Sequence, residues 1–347
     1  MTQNAPTLAE VAAHAGVSLA TASRALNGSA RKVNPELQER VLASASALGY
    51  SANVQAQAVA RGTSNVVALV VGDIADPYFA AVASGVVRVA DDRGLIVTIT
   101  ATGPYAGEAS IARERAAIDA LRGQRPRAVV LAGSRVVGAG EASAAATIAG
   151  GRVAAIGGGA AGVRTVAVDN YEGAAALARE LTGLGYREFA ILAGPEELVT
   201  VRDRVEGFRS VAAGATVRHA EFSRDGGHRA MAELLASGER PECVFAVADV
   251  MALGAMSALR EAGIAPGAEI GVAGFDDLPL VADVTPALTS VALPLAEIGA
   301  RALELALADE EAAEPAAAAP AAAPAAAPSA TAPIAAEVRL RASTPRR

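Results

Sequence analysis

"TLAEVAAHAGVSLATASRALNGSA", residues 7–30, decides how this chain is read. Thr7-Leu8-Ala9-Glu10 has the form of a capping box: the Thr7 hydroxyl accepts from the third helical N–H while the Glu10 carboxylate reaches back. Leu8, Val11, Ala12 and Ala15 then recur at helical spacing. Gly16 supplies a tight left-handed turn, Val17 is expected as a buried plug, and Ser18 caps a second helix over Leu19–Leu26. Ala20, Ala22 and Ala25 keep that helix slim enough for close contact. A third helix is predicted from Asn34-Pro35-Glu36, a cap followed by proline at the first helical position, to Leu48-Gly49. Helices this short bury too little to exist for their own core. With the tight turn they match a helix-turn-helix, whose second helix enters the DNA major groove by its N-terminal end. The turn alone leaves an ordinary helical hairpin open.

Just beyond, "LGYSANVQAQAVARGTS" (48–64) offers Asn53 as a cap for one or two turns over Val54–Ala60, ending at Arg61-Gly62. A helix so short is unstable alone in water and needs a docking surface.

Composition sets outer bounds. The 347 residues suggest two or three folding units, and 52% are apolar, enough for a substantial core. Cys243 is the only cysteine, so an intrachain disulfide is excluded, in keeping with a reducing cytoplasm. The N-terminus carries no basic patch followed by an apolar run, and no charge-free apolar run approaches the length of a membrane span. A cytoplasmic protein without a membrane partner is expected. The net charge of −7 argues against nucleic acid only until it is divided. Residues 1–62 hold Arg24, Arg31, Lys32, Arg40 and Arg61 against Glu10, Glu36 and Glu39, a net +2, leaving −9 for the rest. That asymmetry has the sign of a DNA-reading head on an acidic body.

From Val66 onward apolar strands alternate with helical patterns. Strands are predicted at 66–71, 95–100, 127–132 and 152–156, with helices at about 79–92 and 108–122 between them. A second series is expected to open with "TVAVD" at 165–169 and run through strands at 188–192, 243–248 and 269–275. Its helices are predicted at 171–184, 202–213, 225–237 and 250–262. Such alternation implies parallel sheets covered on both faces, and two series imply two α/β lobes with a ligand-accepting cleft between them. "GGGAAG" (157–162) invites a phosphate-loop reading, but the chain lacks G-x-G-x-x-G and the Walker lysine. His14 falls in the head and His219 and His228 read as surface residues, so neither a nucleophilic pair nor a metal cluster is suggested. An enzyme, a cofactor or a metal is therefore not expected.

Residues 7–62 resemble the headpiece and hinge helix of the LacI/GalR family of bacterial repressors, through Val11-Ala12, Ala15-Gly16-Val17-Ser18, Thr21, Ser23-Arg24, Asn27, Gly49-Tyr50 and Asn53. "DIADPYF" (73–79), "VDNYEGAAALARELTGLGYREFAILAGP" (168–195), "RVEGF" (204–208), "DVMALGAMSALREAG" (249–263) and "VAGFDD" (272–277) are similar to the family's periplasmic-binding-protein-like core. "PALTSVALPLAEIGARALELAL" (286–307) continues it, so the resemblance spans residues 7–308 and the end.

The resemblance implies an α/β fold in which a small all-α helix-turn-helix headpiece precedes a two-lobed core of parallel sheets flanked by helices. The headpiece would take residues 1–62 with a hinge helix at about 53–61. Residues 63–347 would form the effector-binding and dimerisation core, with an extended Ala/Pro-rich insertion at about 312–333 before a closing strand at 334–340.

For function it implies a homodimeric transcriptional repressor that reads a palindromic operator in double-stranded DNA and is released by a small-molecule effector, a sugar or a derivative. Leu19, Ala20 and Arg24 match the base-selecting positions: the first two suit thymine methyl groups, and Arg24 suits guanine. Ser18, Thr21, Ser23 and Asn27 would hold phosphates. Tyr50 and Asn53 belong to the same DNA-binding pattern, and Val59 matches the apolar wedge inserted into the minor groove, usually a leucine. In the cleft, Tyr78, Phe79 and Phe222 match aromatic walls, Thr200 and Asp249 polar positions, Arg204 the ligand-gripping arginine and Asp276 the hydroxyl-accepting carboxylate. Two departures stand out: Ala248 replaces an asparagine that commonly bonds the ligand, and Leu293 replaces a glutamine. A regulator that has lost sugar binding, or a solute-binding transport protein built on the body alone, are the competing readings.

Overall fold

Thr7 and Glu10 close the capping box that their spacing predicts: Glu10 N donates to Thr7 Oγ1 at 3.3 Å, and Thr7 N donates to Glu10 Oε2 at 2.6 Å. The computed structural model describes residues 6–27, 33–51, 64–103, 107–133, 148–158, 163–313 and 333–347, and the chain divides into two units, Met1–Ser64 and Asn65–Arg347.

In the first unit, α1 (Leu8–Ala15) ends at Gly16, whose φ of +64° makes the turn into α2 (Leu19–Asn27). Asn34 caps α3 (Pro35–Leu48) by accepting from Glu36 N, and Gly49 closes it in a left-handed conformation. Val11, Ala12, Ala15, Ala22, Ala25, Val41 and Ala45 form the core of this unit. Alanine at five of these seven positions lets three short helices pack closely. Val17 is half-buried against that core rather than the fully buried plug expected from sequence. Arg40 Nη2 donates to Ala15 O, tying α3 to the turn. The predicted hinge helix, with Asn53 and Val59, lies outside the described residues, as does most of the Ala/Pro-rich run.

The second unit holds two parallel sheets. The N-lobe sheet is built from β1 (Val66–Val71), β2 (Ile96–Ala101), β3 (Ala128–Ala132), β4 (Val153–Ile156) and β5 (Arg164–Val166), in the order β2-β1-β3-β4-β5. Helices α4 (Pro77–Asp92) and α5 (Gly107–Gln124) connect its first three strands. The C-lobe sheet takes β6 (Phe189–Ala193), β7 (Thr216–His219), β8 (Cys243–Ala246), β9 (Gly271–Asp276), β10 (Thr289–Ala292) and β11 (Glu337–Arg339). Its order is β11-β10-β9-β8-β6-β7, parallel except where β11 runs antiparallel to β10. Between these strands lie α6 (Asn170–Gly183), α7 (Val199–Val211), α8 (Arg224–Ala236) and α9 (Asp249–Glu261).

Two expectations are corrected here. The strand predicted at 165–169 does not open the second lobe. β5 pairs with β4, Thr165 opposite Ala155, and completes the first sheet. The closing strand is also shorter than 334–340: Ile334 makes an isolated bridge to Val168, and the ladder proper is Glu337–Arg339. A buried strand and a linker strand share one apolar alternation, so periodicity could not assign either to its sheet.

The last helix, α10 (Leu295–Ala313), returns to the N-lobe and packs on α4, β3, β4 and β5. Glycine makes that crossing possible. A Cβ on Gly85 of α4 would stand 1.7 Å from Ala296 O, and one on Gly299 of α10 2.0 Å from Val82 O. Among the described residues the chain passes between lobes after β5 and again after β10, and Ile334 pairs with Val168 beside the first of these passages. Among the described residues no helix is long and apolar enough to cross a membrane.

Candidate functional site

Every strand that feeds the interlobe cleft does so at its carboxyl end, where parallel sheets leave loops free to meet a ligand. Gly72 follows β1, Gly103 follows β2, Gly133 follows β3, and Ile156-Gly157 ends β4. From the other lobe come Leu198 after β6, Phe222 after β7, Asp276 at the end of β9 and Leu293 after β10. Val168 and Asn170, on the first interlobe passage, line the floor. The cavity between the lobes has a volume of about 90 Å³.

Arg204, on α7, and Asp276 form the polar centre. Arg204 is 2% exposed and Asp276 3%, and Arg204 Nη2 donates to Asp276 Oδ1 at 2.8 Å. Arg204 Nε donates to Asn170 Oδ1 at 2.9 Å, its Nη1 donates to Val247 O at 2.6 Å, and the guanidinium lies 3.8 Å from the centre of the Phe275 ring. Burial pushes the Asp276 carboxyl up to about 6, against the lowering pull of Arg204. Asp276 Oδ2 has no hydrogen-bond partner among the described residues.

Backbone strain sits at the same place. Asp276 and Asp277 hold φ of +105° and +53°, a conformation that costs a non-glycine residue about 1–3 kcal/mol. What holds the turn is a set of side chains behind it. Asp277 Oδ2 accepts from Arg339 Nη1 at 2.8 Å, and Oδ1 lies 2.6 Å from Arg341 Nη1, both from the C-terminal segment. Asp277 N donates to Ser290 Oγ at 3.1 Å, Ser290 Oγ donates to Asp249 Oδ1 at 2.6 Å, and Leu278 N donates to Asp249 Oδ2 at 2.7 Å. Asp249 is therefore not a cleft residue, contrary to the sequence expectation. It is fully buried behind β9 and braces the turn that carries Asp276. Burial, then the charge of Asp276, drives its carboxyl well above the ordinary range.

The walls follow from helix starts and glycine gaps. Asp76 caps α4, its Oδ1 accepting from Tyr78 N at 2.9 Å, and so sets Tyr78 and Phe79 in the first turn. Their rings meet edge to face, 5.1 Å between centres. Phe79 lies against Gly72 and Gly133, where a Cβ would come within 3.2 and 3.3 Å of the ring, and Phe222 covers Gly194. Burial raises the Tyr78 hydroxyl and the Asp76 carboxyl. Tyr78, Phe79, Thr200, Arg204, Phe222 and Asp276 are thus brought together, as the sequence expected. Sequence reasoning missed Asp73, Asp76 and Asn170, which also line the cleft. An Asp before Pro-Tyr-Phe reads as a helix cap, and that reading uses only one of its two oxygens. Of the two departures, Leu293 lines the cleft and Ala248 does not.

In the head unit, Leu19 is 53% exposed at the start of α2, with Ala20 and Arg24 exposed beside it. Arg24 Nε donates to Ala20 O at 3.0 Å, drawing the side chain toward the N-terminal end of the helix. Ser18 Oγ accepts from Thr21 N at 3.1 Å and lies 2.8 Å from Thr21 Oγ1. Thr21 and Ser23 are half-buried, Asn27 ends α2, and Tyr50 packs against the head core.

Comparison with known proteins matches the two units separately. Residues 7–53 fit the family described as bacterial regulatory proteins, lacI family, and residues 178–341 fit the periplasmic binding protein-like domain. The HTH-type transcriptional regulator GalS of Salmonella typhimurium is 35% identical over 310 residues, 87% of this chain and 89% of that protein. A lac repressor dimer solved with operator and the anti-inducer ONPF has the same fold, with a TM-score of 0.79, 22% identity and coverage of 99% of this chain and 100% of that one. A transcriptional regulator CelR–cellobiose complex matches at TM-score 0.64 and 28% identity over 97% of this chain and 99% of that chain.

Proposed function

Because the chain belongs to the LacI family of bacterial regulatory proteins, we propose that it is a cytoplasmic homodimeric repressor whose heads read a palindromic operator and whose cleft takes a sugar-type effector. It is a DNA-binding transcriptional regulator and not an enzyme. The observation that carries the rest is the pairing of an exposed α2 start with a cleft in which Arg204, Asp276 and aromatic rings converge.

Leu19 and Ala20 present only apolar surface, so base reading through them is limited to thymine methyl groups, and Arg24 supplies the one hydrogen-bonding contact to guanine. Ser18, Thr21, Ser23 and Asn27 fix register on phosphates. A two-fold dimer makes the operator palindromic. Asn53 and Val59 would complete the DNA contact from the hinge.

In the cleft, Asp276 Oδ2 accepts a ligand hydroxyl, Tyr78 and Thr200 offer hydroxyls of their own, and Phe79 and Phe222 cover apolar faces of a ring. Ligand contacts from both lobes favour one lobe arrangement, and the head affinity for operator falls with it. Selection from a random DNA pool tests the DNA-reading half: a palindromic sequence is enriched, and enrichment is lost in Arg24→Ala. Equal retention of all sequences at physiological salt contradicts it.

A further inference from the structure

Taking a small-molecule effector in this cleft as given, we propose that it is an uncharged molecule presenting several hydroxyl donors, and that anionic ligands such as sugar phosphates and sugar acids are excluded. Asp73, Asp76 and Asp276 line the cleft, and Arg204 is the only cationic side chain among the described lining residues. Arg204 already uses three of its N–H groups, on Asp276, Asn170 and the Val247 carbonyl. Its charge is matched by Asp276, so Asp73 and Asp76 stand without a cation on the lining.

The unpaired atoms point the same way. Asp73 Oδ1 accepts from Ala75 N and Asp76 Oδ1 from Tyr78 N, which leaves one oxygen on each, together with Asp276 Oδ2, as acceptors without a protein partner among the described residues. The Tyr78 and Thr200 hydroxyls can donate or accept. A ligand that displaces water here must therefore bring donors to three carboxylate oxygens, or those oxygens are left unsatisfied. A polyol or neutral glycoside does so. A carboxylate or phosphate brings acceptors to acceptors and adds negative charge to a partly desolvated site that is already acidic. Leu293 and Phe222 line the same space and offer no polar atoms that could offset it.

Calorimetric titration of the full chain with matched pairs tests this: glucose and glucose 6-phosphate, galactose and galacturonate, ribose and ribose 5-phosphate, cellobiose and cellobionate. The expected result is that at least one uncharged member binds and its anionic counterpart binds at least tenfold more weakly. Asp76→Asn keeps a capping side chain and removes one charge, and it narrows that ratio several-fold. An anionic member that binds as tightly as its neutral counterpart, or a ratio unmoved in Asp76→Asn, overturns the charge selection while leaving the cleft as an effector site. If every ligand fails to bind, the effector reading itself falls, and charge selection falls with it.

Discussion

Arg204 Nη2 and Asp276 Oδ1 meet at 2.8 Å with both side chains buried, so the carboxylate that ends β9 is held by the guanidinium of α7 at the floor of the cleft. Removing one partner of such a pair costs about 3–5 kcal/mol, because the other is left charged and buried. Arg204→Ala is expected to lose that much in denaturant titration and to bind no effector. Asp276→Asn keeps an acceptor for Arg204, loses less stability, and still weakens binding.

The raised Asp276 carboxyl, at about 6, gives stability and binding opposite pH dependences. An unfolded aspartate titrates near 4, so between about pH 4 and 6 the folded chain holds the extra proton. The contribution to stability is full below about pH 4 and is lost as pH rises through about 6. Asp249, raised in the same direction, adds to this trend. Affinity for a hydroxyl donor moves the other way, falling as pH drops below about 6 and Asp276 Oδ2 ceases to be an anion. Unfolding and titration across about pH 4–8 read both slopes.

Asp249 is a brace rather than a ligand group. Its two oxygens serve Ser290 Oγ and Leu278 N, and burial favours the neutral acid. Asn has the same shape: its oxygen can accept from Leu278 N and its NH2 can donate to Ser290 Oγ, the reverse of the Ser290 bond seen here. Asp249→Asn is therefore expected to cost less than Asp249→Ala, which strands two buried groups at roughly 1–3 kcal/mol each. Chemical denaturation of the two variants checks the difference.

On the DNA side, Arg24→Ala is expected to weaken operator binding by about 1–3 kcal/mol and to erase the preference at one base pair per half-site. Ser18→Ala lowers affinity for all sequences alike. Fluorescence anisotropy against the selected operator and its single-base variants separates the two.

Much of this was legible in the sequence. Thr7–Glu10, Gly16 and Asn34-Pro35 marked the head helices because caps and turns are local chemistry. The cleft aromatics, Arg204 and Asp276 came through family resemblance as separate ligand groups; that Arg204 and Asp276 pair with each other did not, since nothing in composition brings residues 72 positions apart together. What stayed hidden is tertiary. That β5 completes the first sheet, that α10 returns to the N-lobe over Gly85 and Gly299, and that Asp249 faces Leu278 and Ser290 are outcomes of packing. Their local patterns fit other arrangements equally well.

The most direct test of the account is operator affinity measured with and without a saturating ligand of the cleft, alongside ligand affinity measured with and without operator. Ligand is expected to lower operator affinity, operator to lower ligand affinity by the same factor, and Asp276→Asn to weaken the ligand's effect. A ligand that occupies the cleft and leaves operator affinity unchanged would contradict it.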